Sequence, residues 1–296
     1  MINSAAPGAA RPHPFLAGLR RLLPARWREP APLVPVLRLS GVIGPTAPLR
    51  SGLNMARIAD ALDRAFSAKG AKAVALVINS PGGSPAQSHL IMRRIRALAA
   101  EKKLPVYAFV EDVAASGGYM IACAADEIIA DPTSILGSIG VVSASFGFDR
   151  LIEKIGVERR VHTAGRSKAM LDPFRPENPE DVARLEALQQ EIHALFIALV
   201  KERRGERLNG TEEELFSGAF WTAGKAIELG LADAIGDVRS SLRQRFGDKV
   251  RLKTVASERG FLMRRLAGAA EPVSPRLAEE ALATLETRAI WARFGL

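Results

Sequence analysis

The chain has 296 residues, of which 48% are apolar and 25% charged, a composition that indicates a globular protein and excludes a disordered one. Its net charge of +9 is compatible with an anionic partner, but no basic block interleaved with aromatic residues points to nucleic-acid binding. The single cysteine, Cys123, excludes an intramolecular disulfide and is expected to be a small core residue. No apolar run reaches the roughly 18 residues of a membrane-spanning helix.

The N-terminal segment is basic, with five arginines against one glutamate in the first thirty residues. Arginines interrupt it where a signal peptide would be apolar, so we expect no cleaved leader. Residues 15–23 (FLAGLRRLL) form a predicted amphipathic helix that ends before Pro24. Such a helix can lie on an anionic membrane or pack on a sister subunit, and the sequence leaves both open. We divide the chain into a basic tail over 1–30, a core over 31–256 and a C-terminal arm over 257–296.

Short apolar runs rich in β-branched residues alternate with amphipathic stretches from residue 34 onward, which predicts an α/β fold. Strands are predicted at 34–43, 73–79, 106–110, 127–130 and 158–163. Helices are predicted at 55–69, 85–100, 116–125, 148–156, 180–203 and 276–293. A further alternation over 222–230, 237–246 and 249–255 closes the core. Periodicity alone leaves open whether the sheet is doubly wound or spiral.

Two glycine-rich turns each follow a predicted strand and precede a predicted helix. The first is NSPGGS over 79–84 and the second is ASGGY over 115–119. Paired glycines allow a sharp turn and leave backbone N–H groups free to bind a developing oxyanion. Ser116 in the second turn lies at a helix N-terminus, where a serine is often only a cap. The sequence therefore indicates either a nucleophile beside an oxyanion hole or two ordinary strand-to-helix turns.

A nucleophilic serine needs a base. None of the four histidines stands in a recognisable triad pattern: His13, His89, His162 and His193. A lysine is the alternative, and it acts as a base only when burial or nearby cations hold it neutral. Lys168, in GRSKAMLDPF, is the candidate, although an isolated lysine in a loop is usually an exposed surface residue.

The segments NSPGGS, ASGGYMIACAADEIIADPTSILGSIGV, GRSKAMLDPF and FSGAFWTAGKAIELGLADAIGDV resemble signal peptide peptidase A, also called protease IV, in order and in spacing. The resemblance runs from about residue 33 to 245. It implies a single core domain with a spiral of ββα units, related to crotonase and to the caseinolytic protease subunit ClpP. It also implies a serine peptidase that uses a Ser–Lys dyad.

The resemblance assigns roles to five residues of this sequence. Ser116 matches the nucleophile and Lys168 matches the general base. Gly83 matches an oxyanion-hole glycine, Gly117 is the second expected donor, and Ser138 matches a serine that hydrogen-bonds the lysine. The implied chemistry requires no metal and no organic cofactor.

The resemblance also carries expectations about partners and location. Peptides that are short or unfolded, including remnant signal peptides, are the expected substrates. A homo-oligomeric ring is implied, with eight subunits for a short member, in which Ser and Lys of one site can come from different subunits. We expect a bacterial protein that binds no nucleic acid and stays in the cytoplasm or at the membrane periphery, touching the membrane through its N-terminus.

Two other functions remain open from the sequence. One is an acyl-CoA enzyme of the crotonase type, because the related fold shares an oxyanion hole, although no placed carboxylate or adenine pocket is recognisable. The other is a non-enzymatic scaffold at a membrane, suggested by the basic N-terminal helix.

Overall fold

A computed structural model describes residues 31–44, 52–256 and 277–296. Its strands are β1 (Leu33–Ser40), β2 (Val74–Ser80), β3 (Val106–Ala115), β4 (Glu127–Ala130), β5 (Ile135–Gly137), β6 (Phe220–Thr222), β7 (Ala234–Ile235) and β8 (Arg251–Val255). Its helices are α1 (Met55–Phe66), α2 (Pro85–Lys102), α3 (Gly117–Ala122), α4 (Asp149–Lys154), α5 (Pro179–Arg204), α6 (Glu212–Phe216), α7 (Ala223–Glu228), α8 (Val238–Phe246) and α9 (Leu277–Ala292). The predicted helix over 15–23 lies outside the described residues.

The eight strands form one sheet whose main path runs β6-β5-β3-β2-β1-β8. Every pairing in it is parallel except β5 with β6. β3 changes partners along its length, because residues 107–110 pair with β4 and residues 113–115 pair with β5. A register irregularity lies opposite this change, between Ile78 and Ser80 of β2. The change of partner turns the sheet, in agreement with the predicted spiral α/β class and its single core.

Both faces of the sheet are covered, so β2 is buried along nearly its whole length. Alternate residues face opposite sides: Leu76 and Ala108 belong to the main core, Ala75 and Phe109 to a second cluster. The main core also takes in the buried faces of α1, α2, α3 and α5. The second cluster includes Leu242 of α8.

The C-terminal end of the chain packs next to the end of β3. Phe294, which follows α9, is buried against Val113 and Ala115. Its ring also meets the ring of Phe220 edge-on, with the centroids 5.1 Å apart. The last residues therefore support the strand end that leads into Ser116.

The predicted strand over 158–163 is wrong. Residues 158–163 pair with no strand of the described chain, and all but Val161 are exposed. A strand requires a neighbour to accept and donate its backbone hydrogen bonds. The β-branched residues of this segment do not lie next to a strand of the sheet, so their backbone has no strand to pair with in the described chain.

A buried ion pair ties the C-terminal end of α5 to the sheet. Arg204, 3% exposed, donates to both carboxylate oxygens of Asp233 at 2.8 and 3.0 Å and to the Gly230 carbonyl at 2.8 Å. Asp233 also accepts the Ile128 N–H at 2.7 Å. Burial raises the pKa of Asp233, but these donors outweigh it and hold that pKa below its usual value. The pair therefore stabilises the fold at neutral pH, and its contribution is lost as the pH falls through the lowered pKa.

Replacing Arg204 with methionine is expected to lower the free energy of unfolding by about 3 kcal/mol, because the carboxylate of Asp233, whose side chain is only 16% exposed, loses its main partner. Urea unfolding, followed by circular dichroism, measures the change. Lys225→Met is the control, since Lys225 is 41% exposed and pairs at 3.3 Å with Glu228, which is 69% exposed, and it should cost under about 1 kcal/mol. Equal losses in the two variants would contradict the assigned role of the buried pair.

Candidate functional site

Ser116 lies where β3 ends and α3 begins. Its backbone has φ +50° and ψ −121°, a conformation that costs a non-glycine residue about 1–3 kcal/mol and is held by its surroundings. The Ser116 N–H donates to the Gly137 carbonyl at 2.8 Å, and its carbonyl accepts the Met120 N–H at 3.0 Å. A strained serine on a sharp strand-to-helix turn is the arrangement that presents a nucleophilic hydroxyl in other hydrolases.

The hydroxyl of Ser116 does not cap the helix that follows. Ser116 occupies the N-cap position of α3, yet its side chain makes no capping hydrogen bond. By contrast, Ser84 at the start of α2 does accept from the Gln87 N–H. The interpretation of Ser116 as an ordinary cap, left open by the sequence, is therefore excluded.

The two glycine-rich turns pack directly against each other. A Cβ on Gly82 would lie 2.8 Å from the Ser116 Cβ. A Cβ on Gly118 would lie 2.4 Å from the Ser80 carbonyl oxygen. Real Cβ atoms do not approach so closely, so these positions require glycine. The close contact sets the first turn beside the serine of the second.

Gly83 and Gly117 present backbone N–H groups at this junction. Ile43 forms a parallel bridge with Gly83 through the residues on either side of that glycine. The Ile43 N–H donates to the Gly82 carbonyl at 2.8 Å, and the Ile43 carbonyl accepts the Ser84 N–H at 2.7 Å. In a parallel bridge, the N–H of the central residue points away from the partner strand. The Gly117 N–H opens α3, where the first amides have no partner within the helix. Within the described ranges, neither amide donates a hydrogen bond, so both are available to an anion.

Ser138 lies one residue beyond the Gly137 carbonyl that binds Ser116. It is 6% exposed and has φ +52°. Its N–H donates to the Ala219 carbonyl at 2.7 Å. The structure thus brings Ser138 into the same junction as Ser116 and the two glycines.

Lys168 lies in a different setting from the other four predicted site residues. It is exposed, in a turn whose Lys168 N–H donates to the Gly165 carbonyl at 3.2 Å. No hydrogen bond joins its amine to Ser116 or Ser138 within the described chain. A single chain therefore assembles the serine and its surrounding amides, but leaves the predicted base in solvent.

The segment that carries Lys168 exposes an unusual amount of apolar surface. Between residues 142 and 195, the exposed large apolar side chains are Val142, Phe146, Phe148, Leu151, Ile155, Val157, Leu171, Leu188 and Leu195. Three of them exceed two-thirds exposure, with Leu195 at 72%, Phe146 at 69% and Val142 at 68%. Two of these side chains also contact each other, since the rings of Phe146 and Phe148 have centroids 6.2 Å apart.

Cys123 and His193 are two further reactive side chains, and both make contacts that belong to the fold. Cys123 is buried, and that burial raises its pKa to about 12, so it is a core residue as predicted and is not a thiolate. The helical spacing of His193 predicts only that it borders the apolar stripe of α5. Its Nε2 instead lies 3.0 Å from the Ile139 carbonyl oxygen, a contact between distant residues that sequence spacing could not reveal.

Comparison with known proteins identifies relatives along most of the chain. The family model Peptidase family S49 matches residues 98–250, just over half of the chain. The Brucella abortus protein named Na(+)/H(+) antiporter NhaA is 57% identical over 288 residues, which cover 94% of this chain and 39% of that protein. Serine protease SPPA, chloroplastic, of Arabidopsis thaliana is 35% identical over 208 residues, covering 69% of this chain and 30% of that protein. A solved structure of the 1510-N membrane-bound stomatin-specific protease has a TM-score of 0.49 and 18% identity, covering 81% of this chain and 98% of that one.

A largely parallel sheet with a strained serine at a strand-to-helix turn, beside unengaged glycine amides, is an arrangement also found in α/β hydrolases that use a serine nucleophile. The chain belongs to peptidase family S49, a family of serine peptidases. The predicted resemblance to signal peptide peptidase A is thereby confirmed, and the acyl-CoA alternative is not favoured. The chain spans less than two-fifths of the length of these two curated relatives. Across the described ranges, no helix is both long and apolar enough to cross a bilayer.

Proposed function

We propose that the chain is a serine endopeptidase with Ser116 as nucleophile and Lys168 as general base. The observation that carries the proposal is the strained Ser116, whose hydroxyl is not used as a cap and which lies beside two unengaged glycine amides. Family membership supplies the reaction class. The substrates proposed are short or unfolded peptides, including remnant signal peptides.

The reaction begins when the neutral amine of Lys168 takes the proton of the Ser116 hydroxyl as its oxygen attacks a peptide carbonyl. The amides of Gly83 and Gly117 bind the tetrahedral oxyanion. The Lys168 ammonium then protonates the departing amine, leaving an acyl group on Ser116. A water attacks this ester with the help of Lys168 and releases the second product, and Ser138 orients the lysine amine.

We further propose that the working form is a homo-oligomeric ring in which a neighbouring copy completes each site. Two observations support this. Lys168 is exposed and unpaired with Ser116 in one chain, and the surrounding segment 142–195 carries exposed apolar side chains. A second copy covering that segment would remove water from the amine, and desolvation favours its neutral form. The expected assembly contains eight copies.

Mixed oligomers test whether the dyad is shared. Copies carrying Ser116→Ala and copies carrying Lys168→Ala are each expected to form inactive rings. Co-expression of the two should restore hydrolysis, because some sites then combine an intact serine with an intact lysine from the neighbour. Random mixing of equal amounts should return about a quarter of wild-type activity in a symmetric ring.

The measurement is the cleavage rate of a fluorogenic peptide by rings purified through two different affinity tags. Rings containing only one variant serve as the control for residual activity. Mixed rings as inactive as the pure variants would reject the shared dyad. Mass measurement of the same rings reports the number of copies.

A further inference from the structure

The turn of residues 137–140, next to Ser116, is bound to three different parts of the fold. The Gly137 carbonyl accepts the Ser116 N–H at 2.8 Å, and the Ser138 N–H donates to Ala219 at 2.7 Å. The Ile139 carbonyl oxygen lies 3.0 Å from Nε2 of His193. Backbone groups of three successive residues are thus held by Ser116 after β3, by the segment before β6, and by α5. The position of Ser116 depends on this turn because its own amide binds to it.

The helix that carries His193, α5, is anchored at its C-terminal end. Arg203 donates to the carbonyls of Cys123 at 2.8 Å and Ala125 at 3.1 Å, and Arg204 forms the buried pair with Asp233. Phe196 is the first buried residue of α5, one turn after His193. His193 therefore lies where the helix leaves the core. Its hydrogen bond to the Ile139 carbonyl connects the anchored helix to the turn.

The chemistry of this contact defines the role of the imidazole. A carbonyl oxygen can only accept, so Nε2 must carry the proton and donate. Ile139 is fully buried, and a carbonyl in such a turn has little access to water as a replacement. Because Nε2 is occupied in this way, it cannot take the Ser116 proton, and His193 acts through the turn.

We infer that His193 is a positioning residue for the peptidase reaction. By holding the Ile139 carbonyl, it fixes the turn whose Gly137 carbonyl orients Ser116 and whose Ser138 borders the site. The inference rests on the proposed function, since it gives His193 a role in placing that nucleophile. It predicts an effect on the chemical step with little effect on substrate binding.

A three-variant series tests this role. His193→Ala removes the donor and should lower kcat about 10- to 100-fold with KM little changed, as expected for a nucleophile displaced by a fraction of an ångström. His193→Gln can place an amide N–H near the same carbonyl and should recover most of kcat. His89→Ala is the matched control, because His89 is an exposed histidine on α2, and it should match the wild type.

Hydrogen–deuterium exchange of the Ser138 amide gives a second readout that does not depend on catalysis. Exchange should accelerate in His193→Ala and remain near the wild-type rate in His193→Gln and His89→Ala. Wild-type kcat in His193→Ala, unchanged exchange, or a glutamine variant as impaired as the alanine variant would each overturn the inference. If Ser116→Ala retained hydrolysis while the exchange series followed the expected order, the dyad would be rejected and the hold of His193 on the turn would stand.

Discussion

Replacing Ser116 with alanine is expected to lower kcat/KM for peptide hydrolysis by at least about 10,000-fold, because no other group can form the acyl intermediate. Lys168→Ala should have a similar effect, since the serine hydroxyl is a weak nucleophile without its base. The double variant should be no worse than either single one, because the two residues act as a unit. Hydrolysis of a fluorogenic peptide by the purified proteins measures all three.

Two controls accompany the dyad variants. Ser67→Ala and Lys249→Ala change exposed residues of the same types and should leave the rate unchanged. The stabilities of Ser116→Ala and Lys168→Ala should stay within about 0.5 kcal/mol of the wild type, because neither side chain has a hydrogen-bond partner in the described chain. Retention of more than a few percent of wild-type hydrolysis by either variant would reject the dyad.

Gly83→Ala is expected to inactivate the protein by more than about 100-fold, through loss of an oxyanion donor. The added Cβ would lie 2.0 Å from the Ile43 carbonyl oxygen, at a residue with φ +138°, so the turn must move. Moving it breaks the bridge to Ile43 and takes the Gly83 N–H out of position. Hydrolysis rate and urea midpoint, measured together, report the catalytic and structural parts of the effect.

A glycine with free space around it is the control for this substitution. A Cβ on Gly224, at the start of α7, would meet nothing within 4 Å, so Gly224→Ala should retain both activity and stability. Gly83→Ala with more than a tenth of wild-type activity would show that this amide is not an oxyanion donor.

Local sequence pattern predicted the longer buried strands of the sheet but not β5, β6 and β7, which have only two or three residues each. The apolar run at 73–79 became β2, and the predicted strand at 127–130 matches β4 residue for residue. These runs are buried on both faces, so the demand for burial and the local propensity agree. The predicted strand at 158–163 failed because a strand is defined by its neighbour, and local pattern does not contain that neighbour.

The two glycine-rich turns could be recognised from the sequence alone, whereas the roles expected for Ser116 and Lys168 came from the resemblance to signal peptide peptidase A. The glycines of the two turns and the serine between strand and helix could be selected by their conformational demands. The absence of a cap hydrogen bond at Ser116 could not be predicted, because neither its φ of +50° nor the close approach of Gly82 has a local sequence signal. The contact of His193 with Ile139 joins residues 54 positions apart and leaves no local signal.

By itself, the sequence determined the α/β class, the places of the longer strands and helices of the core, and the family to which the motifs belong. Apolar periodicity and glycine placement are local properties, and they act over a few residues. Only the tertiary structure decided which glycines press together, which amides stay unengaged, and that Ser116 is strained and not used as a cap. Those features depend on contacts between residues that are distant in the sequence, and packing of the whole core determines which of these contacts form.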